Sequence, residues 1–327
     1  MPNSKTLKKR IFAIEGREEF NAVALEIFSF QYKANPVYRQ FCDHLKINPL
    51  EVNRVESIPF LPIELFKNHL VLSGAGEAQV IFESSGTTGT ATSRHHLLDA
   101  GLYEESFSRA FRQFYGSPTD YRILALLPNY LERQGSSLVY MVNQLITESN
   151  HLESGFFLDN RDALRELLEK GSDKKTLLIG VSFALLDMVE DGKLKLQNTI
   201  IMETGGMKGR RKELTRKELH NILKSGFGVD AIHSEYGMTE LLSQAYASAN
   251  GEFECPPWMR LMIRDINDPL SLAPPGKTGG INVIDLANLY SCSFIATSDL
   301  GRETETGKTE ILGRFDYSDM RGCNLMV

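Results

Sequence analysis

The sequence predicts an α/β fold, with mostly parallel sheets flanked by helices and a smaller antiparallel β region. Between about residues 80 and 250, short apolar runs alternate with helical stretches, and this alternation is typical of a parallel sheet with helices on its faces. Beyond Gly251, short β segments follow one another between Pro and Gly turns, as in an antiparallel meander. The 327 residues are enough to bury a full hydrophobic core.

Composition narrows the class of protein. The 36 Lys and Arg residues against 42 Asp and Glu residues give a net charge of −6, which argues against nucleic acid as the main partner. The longest apolar stretch, residues 177–186, falls short of the ~20 residues that a membrane span needs. The first residues lack the apolar core of a secretory signal, and the four cysteines have no paired spacing. We therefore expect a cytoplasmic protein with no membrane span.

Residues 1–312 are predicted to form one core in three parts, and residues 313–327 a tail. Residues 1–79 form a helical lead-in, because apolar residues recur there at helical spacing until prolines break the pattern. Residues 80–250 form the α/β part, with strands expected at 122–127, 176–180, 198–202 and 229–233. Its helices are expected to begin near Ser136, at Ser182 and at about Lys212. Residues 251–312 form the β-rich part.

A polar loop follows the short predicted strand Val80–Phe82. It contains Ser84, Ser85, Gly86, Thr87, Thr88 and Gly89. Glycines let backbone N–H groups approach an anion closely, and the hydroxyls add further donors, so the loop suits a polyphosphate. No Gly-Lys-Ser/Thr follows, so the loop is not a Walker loop. A polar surface linker is the alternative that composition leaves open.

Five segments together resemble the adenylate-forming (acyl-CoA synthetase-like) superfamily, in the order that the superfamily has them. Ser84–Gly89 resembles its phosphate loop, and Gly205-Gly206 resembles the glycine pair that lies against adenine. Tyr236–Glu240 resembles the Tyr-Gly-x-Thr-Glu motif. Residues 297–301 resemble the segment whose aspartate binds the ribose, and residues 313–316 resemble the hinge motif. The resemblance covers nearly the whole chain and implies ATP and Mg²⁺ as cofactors.

The resemblance also implies a role for single residues in these motifs. Thr239 would donate to the α-phosphate, and Glu240 would hold Mg²⁺ through a hard carboxylate oxygen. Asp299 and Arg314 would bind the ribose hydroxyls, and Tyr236 and Gly237 would contact the nucleotide. For Glu240 the alternative is a glutamate that only complements the dipole at a helix N-terminus.

Two departures point to one branch of the superfamily. The loop continues to Arg94 and His95 instead of the usual Pro-Lys, so Arg94 would replace the loop lysine as the cation for phosphate. The chain ends soon after the hinge motif, so the small C-terminal lid domain is expected to be missing. Both features resemble the LuxE-type acyl-protein synthetases. His95 and His233 can bond a phosphate or orient the carboxylate, or be packed histidines.

A cysteine near the end of the sequence, Cys323, follows Arg321 and Gly322. A nearby cation lowers the pKa of a thiol, and the thiolate is the nucleophile. LuxE-type enzymes carry an acyl-accepting cysteine near the C-terminus, and Cys323 is the matching position. From the residues alone, a small apolar side chain that docks with Leu325 and Val327 is the alternative.

The resemblance implies ATP-dependent activation of a fatty or related carboxylic acid as acyl-AMP. The acyl group would then pass to Cys323 and on to a partner protein, either a reductase or an acyltransferase or carrier. A second hypothesis keeps the adenylation but makes coenzyme A or a carrier-protein thiol the acceptor. A third is a non-catalytic module that binds nucleotide or acyl groups.

Overall fold

The computed structural model describes residues 4–84, 92–128, 135–205 and 214–314. The lead-in is mostly helical, as predicted: α1 (Ser4–Ile11), α2 (Arg17–Ala34), α3 (Pro36–His44) and α4 (Leu65–Asn68), with a 3₁₀ turn at Val55–Ser57. The α2–α3 break occurs where Pro36 opens α3 and the Asn35 side chain accepts from Tyr38 N at 3.0 Å. Strand β1 (Leu61–Pro62) lies between the 3₁₀ turn and α4.

The polar loop is carried by a hairpin. Strands β2 (Val80–Glu83) and β3 (Arg94–Leu97) pair antiparallel and form a two-stranded sheet of their own. Helix α5 (Ala100–Tyr115) follows. The sequence predicted the strand at Val80 but not its hairpin partner β3, because Arg94–Leu97 carries three polar side chains in four residues.

The predicted parallel sheet is present. Its strands, in spatial order, are β5 (Gly155–Phe156), β4 (Tyr121–Leu126), β6 (Lys175–Val181), β7 (Thr199–Thr204), β8 (Ile232–Tyr236) and β9 (Ala245–Ala247). All neighbours pair parallel except β8 and β9. The helices between them are α6 (Ser137–Ser149), α7 (Arg161–Lys170), α8 (Ser182–Glu190) and α9 (Arg216–Phe227).

One strand lies later than predicted. The sequence predicted a strand at 229–233, whereas β8 spans Ile232–Tyr236. The reason is the end of α9, where Gly228 adopts φ +66° and closes the helix. The residues that follow Gly228 lead the chain back to the sheet, so β8 starts later than predicted and ends on Tyr236, at the carboxyl edge of the sheet.

The last part is antiparallel, as predicted. It contains β10 (Glu252–Phe253), β14 (Thr309–Arg314), β13 (Phe294–Glu303), β12 (Gly279–Asp285) and β11 (Met259–Arg264) in spatial order, and β1 pairs parallel with β13. Buried Asp285 joins this sheet to the turn after β8, because its Oδ2 accepts from the backbone N–H groups of Leu242 (2.7 Å) and Ser243 (2.9 Å). In the part of the chain that is described, no helix is long and apolar enough to cross a membrane.

Candidate functional site

Two of the predicted motifs meet at the carboxyl edge of the parallel sheet. Gly205 follows β7 directly with φ +69°, and β8 ends on Tyr236, with Gly237 next. Because β7 and β8 are parallel neighbours, the segments that follow them lie side by side. The Ser182 hydroxyl fixes the first segment by donating to the Gly205 carbonyl at 2.7 Å.

Tyr236 reaches from this edge to the antiparallel sheet. Its hydroxyl donates to Asp299 Oδ2 at 2.8 Å. Burial raises the pKa of Tyr236 well above its usual value, and the Asp299 charge raises it further. Burial also raises the pKa of the Asp299 carboxyl, although the hydrogen bond from Tyr236 and the charge of Arg314 oppose this. The two predicted nucleotide residues are thus in direct contact.

Arg314 stands directly opposite Asp299 in the β13–β14 pair. Its Nε lies 3.9 Å from Asp299 Oδ1, and its side chain is 86% exposed. An exposed guanidinium beside a largely buried carboxylate is placed to contact a ligand that binds over Asp299. The role of both residues at a ribose stays a prediction.

The base of the polar loop is closed by two hydrogen bonds. Ser84 N donates to Ser93 O at 3.0 Å, and Ser93 N donates to Ser84 Oγ at 2.9 Å. Of the predicted loop residues, Ser85, Gly86, Thr87, Thr88 and Gly89 lie outside the described residues. These two hydrogen bonds, which we call the Ser84–Ser93 clamp, fix the positions of the residues on either side of the loop.

Glu240 lies against this clamp. It is 5% exposed, and burial raises the pKa of its carboxyl, while a hydrogen bond with the Ser93 side chain and the charges of Arg314 and Lys67 oppose the rise. Ser93 at the base of the loop and Arg314 therefore both lower the pKa of the Glu240 carboxyl. Glu240 lies in a turn and not at a helix end, which removes the alternative role of complementing a helix dipole.

Two side chains hydrogen-bond to the backbone of the turn that carries Thr239 and Glu240. Asn288 Nδ2 donates to the Glu240 carbonyl at 2.7 Å, and His95 Nδ1 lies 2.9 Å from the Thr239 carbonyl. A carbonyl only accepts, so His95 Nδ1 carries the proton. Burial lowers the pKa of His95 to about 4, so the ring is neutral at pH 7. His95 therefore positions Thr239, instead of bonding a phosphate through this nitrogen.

Arg94 and His233 both have partners among the described residues. Arg94 stands opposite Glu83 in the hairpin, with Nε 3.1 Å from Glu83 Oε1, and its side chain is 63% exposed. A phosphate contact by Arg94 stays a prediction. His233 Nδ1 lies 3.2 Å from the Tyr115 hydroxyl, and burial lowers its pKa to about 4. By strand alternation His233 faces away from the side of β8 that carries Tyr236.

Sequence reasoning missed the residues that support the motifs. Arg216 forms an ion pair with buried Glu203, and its guanidinium lies 4.9 Å from the centre of the Phe253 ring. The Phe253 ring in turn packs edge-on against Tyr236, with 6.1 Å between centroids. The helix predicted to begin at about Lys212 was the only sequence signal for Arg216. Nothing in the local sequence marks Asn288, which lies 48 residues after Glu240.

Glu240 is the predicted metal ligand. The described residues contain no group of three or more His, Cys, Asp or Glu side chains able to hold a metal ion. Mg²⁺ is commonly held by one or two carboxylates together with substrate phosphates, so the single carboxylate of Glu240 beside a phosphate-type loop fits that donor set.

Two further predicted site residues, Gly206 and Cys323, lie outside the described residues. The other three cysteines have raised thiol pKa values because they are buried: to about 12 for Cys42 and Cys255, and above the usual value for Cys292. Thiols that stay protonated are poor nucleophiles, so these three cysteines are poorly suited to accept an acyl group.

Solved structures share this fold. ATP-bound MatB from Rhodopseudomonas palustris is 18% identical, with a TM-score of 0.55, and the match covers 73% of this chain and 49% of MatB. An open conformation of 2-hydroxyisobutyryl-CoA ligase with 2-HIB-AMP and CoA is 12% identical, with a TM-score of 0.67, covering 93% of this chain and 72% of that one. This chain therefore spans about half the length of MatB. The predicted fold class, the large N-terminal-type domain of adenylate-forming enzymes, is confirmed.

No curated protein matches the sequence. One family model does: that of the acyl-protein synthetase LuxE, over residues 11–327. The match takes in the described site residues from Ser84 to Arg314, together with Cys323. The chain belongs to the LuxE acyl-protein synthetase family.

Proposed function

We propose that this protein activates a carboxylic acid, fatty or related, with ATP, and transfers the acyl group to a protein thiol. A carboxylate oxygen attacks the α-phosphorus, the bond to pyrophosphate breaks, and acyl-AMP forms. A thiolate then attacks the acyl carbonyl carbon, AMP leaves with the electron pair of the broken bond, and a thioester results. The proposed place of this chemistry is the cytoplasm.

One observation carries the proposal: Ser84, Glu240, Tyr236, Asp299 and Arg314 converge, although they are far apart in the sequence. Ser93 bonds both the base of the loop and Glu240, and Arg314 acts on both Glu240 and Asp299. A nucleotide carries phosphates on the 5′ carbon of its ribose and a diol on the 2′ and 3′ carbons, and these residues supply N–H and hydroxyl donors for the phosphates and a carboxylate acceptor for the diol.

The chain's own residues have distinct roles in this proposal. The loop 84–89 holds the departing pyrophosphate, and Thr239, kept in place by His95, donates to the α-phosphate. Asp299 accepts from the ribose hydroxyls, with Arg314 beside it, and Gly205, Gly206 and Gly237 leave room for the adenine and the acyl phosphate. Mg²⁺ held by Glu240 would neutralise charge on the phosphates.

Exchange of radiolabelled pyrophosphate into ATP tests the adenylation step. We expect exchange that depends on an added carboxylic acid and that Glu240→Gln lowers by about two orders of magnitude. Glu254→Gln is the matched control, because Glu254 is half-exposed and its carboxylate pairs with Lys308, the residue before β14. No exchange across a broad panel of acids, with nucleotide binding intact, would instead support a non-catalytic binding module.

Labelling of the enzyme tests the transfer step. With ATP and an active acid, the protein should gain an acyl group that neutral hydroxylamine removes, and Cys323→Ser should not gain it. Cys255→Ala is the matched control, since the Cys255 thiol has a pKa of about 12 and should not compete. If Cys323→Ser is labelled as strongly as the parent protein, Cys323 is not the relay. If Cys323→Ser stays unlabelled but releases AMP when coenzyme A is added, a free thiol is the acceptor.

A further inference from the structure

Buried polar groups without partners gather beside the proposed site. Among the described residues, three buried side-chain atoms lack a hydrogen-bond partner: Gln244 Oε1, the Tyr246 hydroxyl and Asn288 Oδ1. Asn288 bonds the Glu240 carbonyl, and the other two lie within ten residues of Tyr236 in the sequence. Such atoms are rare in folded proteins, and each one calls for a physical reason.

Gln244 and Tyr246 lie on the same side of the sheet as Glu235. Tyr246 stands directly opposite Glu235 in the β8–β9 pair. Gln244 lies just before β9, and its Cγ and a Glu235 oxygen both lie beside the point where a Cβ on Gly237 would stand, so all three side chains are on one face. Each is at least nine-tenths buried. Tyr236 points to the other face, towards Asp299. We call Glu235, Gln244 and Tyr246 the Glu235 cluster.

The Glu235 cluster adjoins both glycine segments. One Glu235 oxygen accepts from the hydroxyl of Thr204, the residue before Gly205. The other lies 2.6 Å from the point where a Cβ on Gly237 would stand, and Gln244 Cγ lies 3.4 Å from that point. A polar, buried surface thus lies directly behind the backbone that the proposed nucleotide contacts.

Aromatic side chains of α5 pack against the Glu235 cluster. The Tyr246 ring packs against Phe114 and Tyr115 of α5, with centroid separations of 5.3 and 5.4 Å. An unsubstituted alkyl chain placed here would leave the Gln244 oxygen and the Tyr246 hydroxyl without partners, which is unfavourable. A ligand with a hydroxyl or an amine would supply the missing donor.

We propose that the Glu235 cluster selects the acid, and that the preferred substrate carries a hydroxyl or an amino group on its carbon skeleton. This inference rests on the proposed adenylation and narrows its substrate class. A site built to hydrogen-bond a substrate group rejects the analogue that lacks it, because the buried partners are then left unpaired. A substrate hydroxyl is neutral, whereas a substrate amino group can carry a positive charge. As an ammonium it would pair with the ionised carboxylate of Glu235.

Pyrophosphate exchange with matched acids tests the inference. Each unsubstituted acid is compared with its hydroxy and amino derivatives of equal chain length, as a ratio of kcat/KM values. We expect the substituted acid to be preferred, and Tyr246→Phe and Gln244→Met each to reduce that preference roughly tenfold. Glu235→Gln should do so most strongly if the amino acid is preferred. Tyr32→Phe, which removes a hydroxyl on α2 bonded to Asp43, is the matched control.

Two outcomes overturn the inference alone. One is parent protein that uses unsubstituted acids as well as substituted ones, and the other is a preference that the Glu235-cluster variants leave unchanged. In both, exchange itself persists and the proposed adenylation stands. Absence of exchange with every acid would remove the adenylation and this inference together. Tyr246→Phe removes only one hydroxyl that has no partner, so loss of folding is not expected to obscure the result.

Discussion

The Tyr236 hydroxyl lies 2.8 Å from Asp299 Oδ2 and donates a hydrogen bond that joins the two large sheets. Tyr236 ends β8 of the parallel sheet, and Asp299 lies within β13 of the antiparallel sheet. One bond therefore fixes the distance between a nucleotide motif and the proposed ribose carboxylate. It also gives Asp299, which burial penalises as an anion, a donor that stabilises its charge.

Removing this hydroxyl should weaken nucleotide binding and stability together. Tyr236→Phe leaves the ring packed on Phe253 but takes the donor from Asp299, so we expect the pKa of Asp299 to rise further. Hydrogen bonds to charged groups contribute about 2 kcal/mol, and we expect a loss of that size in the free energy of unfolding. The KM for ATP should rise about tenfold. Urea unfolding and pyrophosphate exchange measure the two effects, and a Tyr236→Phe protein unchanged in both would contradict the assignment.

Arg314 should affect nucleotide binding without affecting stability. Its side chain is 86% exposed, and substitutions at exposed positions usually change the free energy of unfolding by less than about 0.5 kcal/mol. Arg314→Ala is therefore expected to unfold like the parent protein but to need about tenfold more ATP for half-maximal exchange. Arg302→Ala, on the neighbouring strand and half-exposed, is the control. Equal KM values for the two variants would place Arg314 outside the site.

The elements with periodic apolar patterns could be predicted from the sequence, and those set by distant contacts could not. The fully buried runs of β4, β6 and β7 read directly as parallel strands. The hairpin return of β3 and the late start of β8 escaped prediction, because the first is polar and the second is set by the end of α9 at Gly228.

The same division holds at the site. The motif residues Tyr236, Glu240 and Asp299 could be placed by resemblance. His95 was ambiguous, since a histidine after a polar loop suits a phosphate as well as a packed position, and only its burial and the Thr239 carbonyl decide. Nothing in the sequence marks Glu235 as a site residue. The sequence of one strand does not show which of its two faces another element will bury.

His95 should make the protein less stable in acid. Burial holds its pKa at about 4 in the folded protein, below its ordinary value of 6.5. Below pH 6.5 the unfolded chain therefore binds a proton that the folded protein does not, and stability falls until the pH reaches about 4. Between pH 7 and pH 5 this group alone removes about 2 kcal/mol. In urea unfolding, His95→Gln should lose less stability over that interval than the parent protein, and His44→Gln, on the exposed side of α3, should lose as much.

Glu235 should make the protein less stable at alkaline pH, the opposite of the effect of His95. Burial raises its pKa to about 7, and the charge of Glu203 on the neighbouring strand adds to this, whereas the Thr204 hydroxyl lowers it. The tyrosines that interact electrostatically with it are Tyr103 and Tyr115 on α5 and Tyr246 on β9, all of which have raised pKa values.

Because the folded protein holds this proton more tightly than the unfolded chain, the stabilisation is complete below about pH 4.5 and is lost as the pH rises through 7. Glu235→Gln keeps the shape of the side chain and removes the titration. Its free energy of unfolding minus that of the parent protein should therefore be larger at pH 8 than at pH 5, by about 2.5 kcal/mol. Glu254→Gln, on an exposed carboxyl, should show no such trend. A constant difference between Glu235→Gln and the parent protein across this range would mean that Glu235 is ionised in the folded state throughout, and that Thr204 bonds a carboxylate.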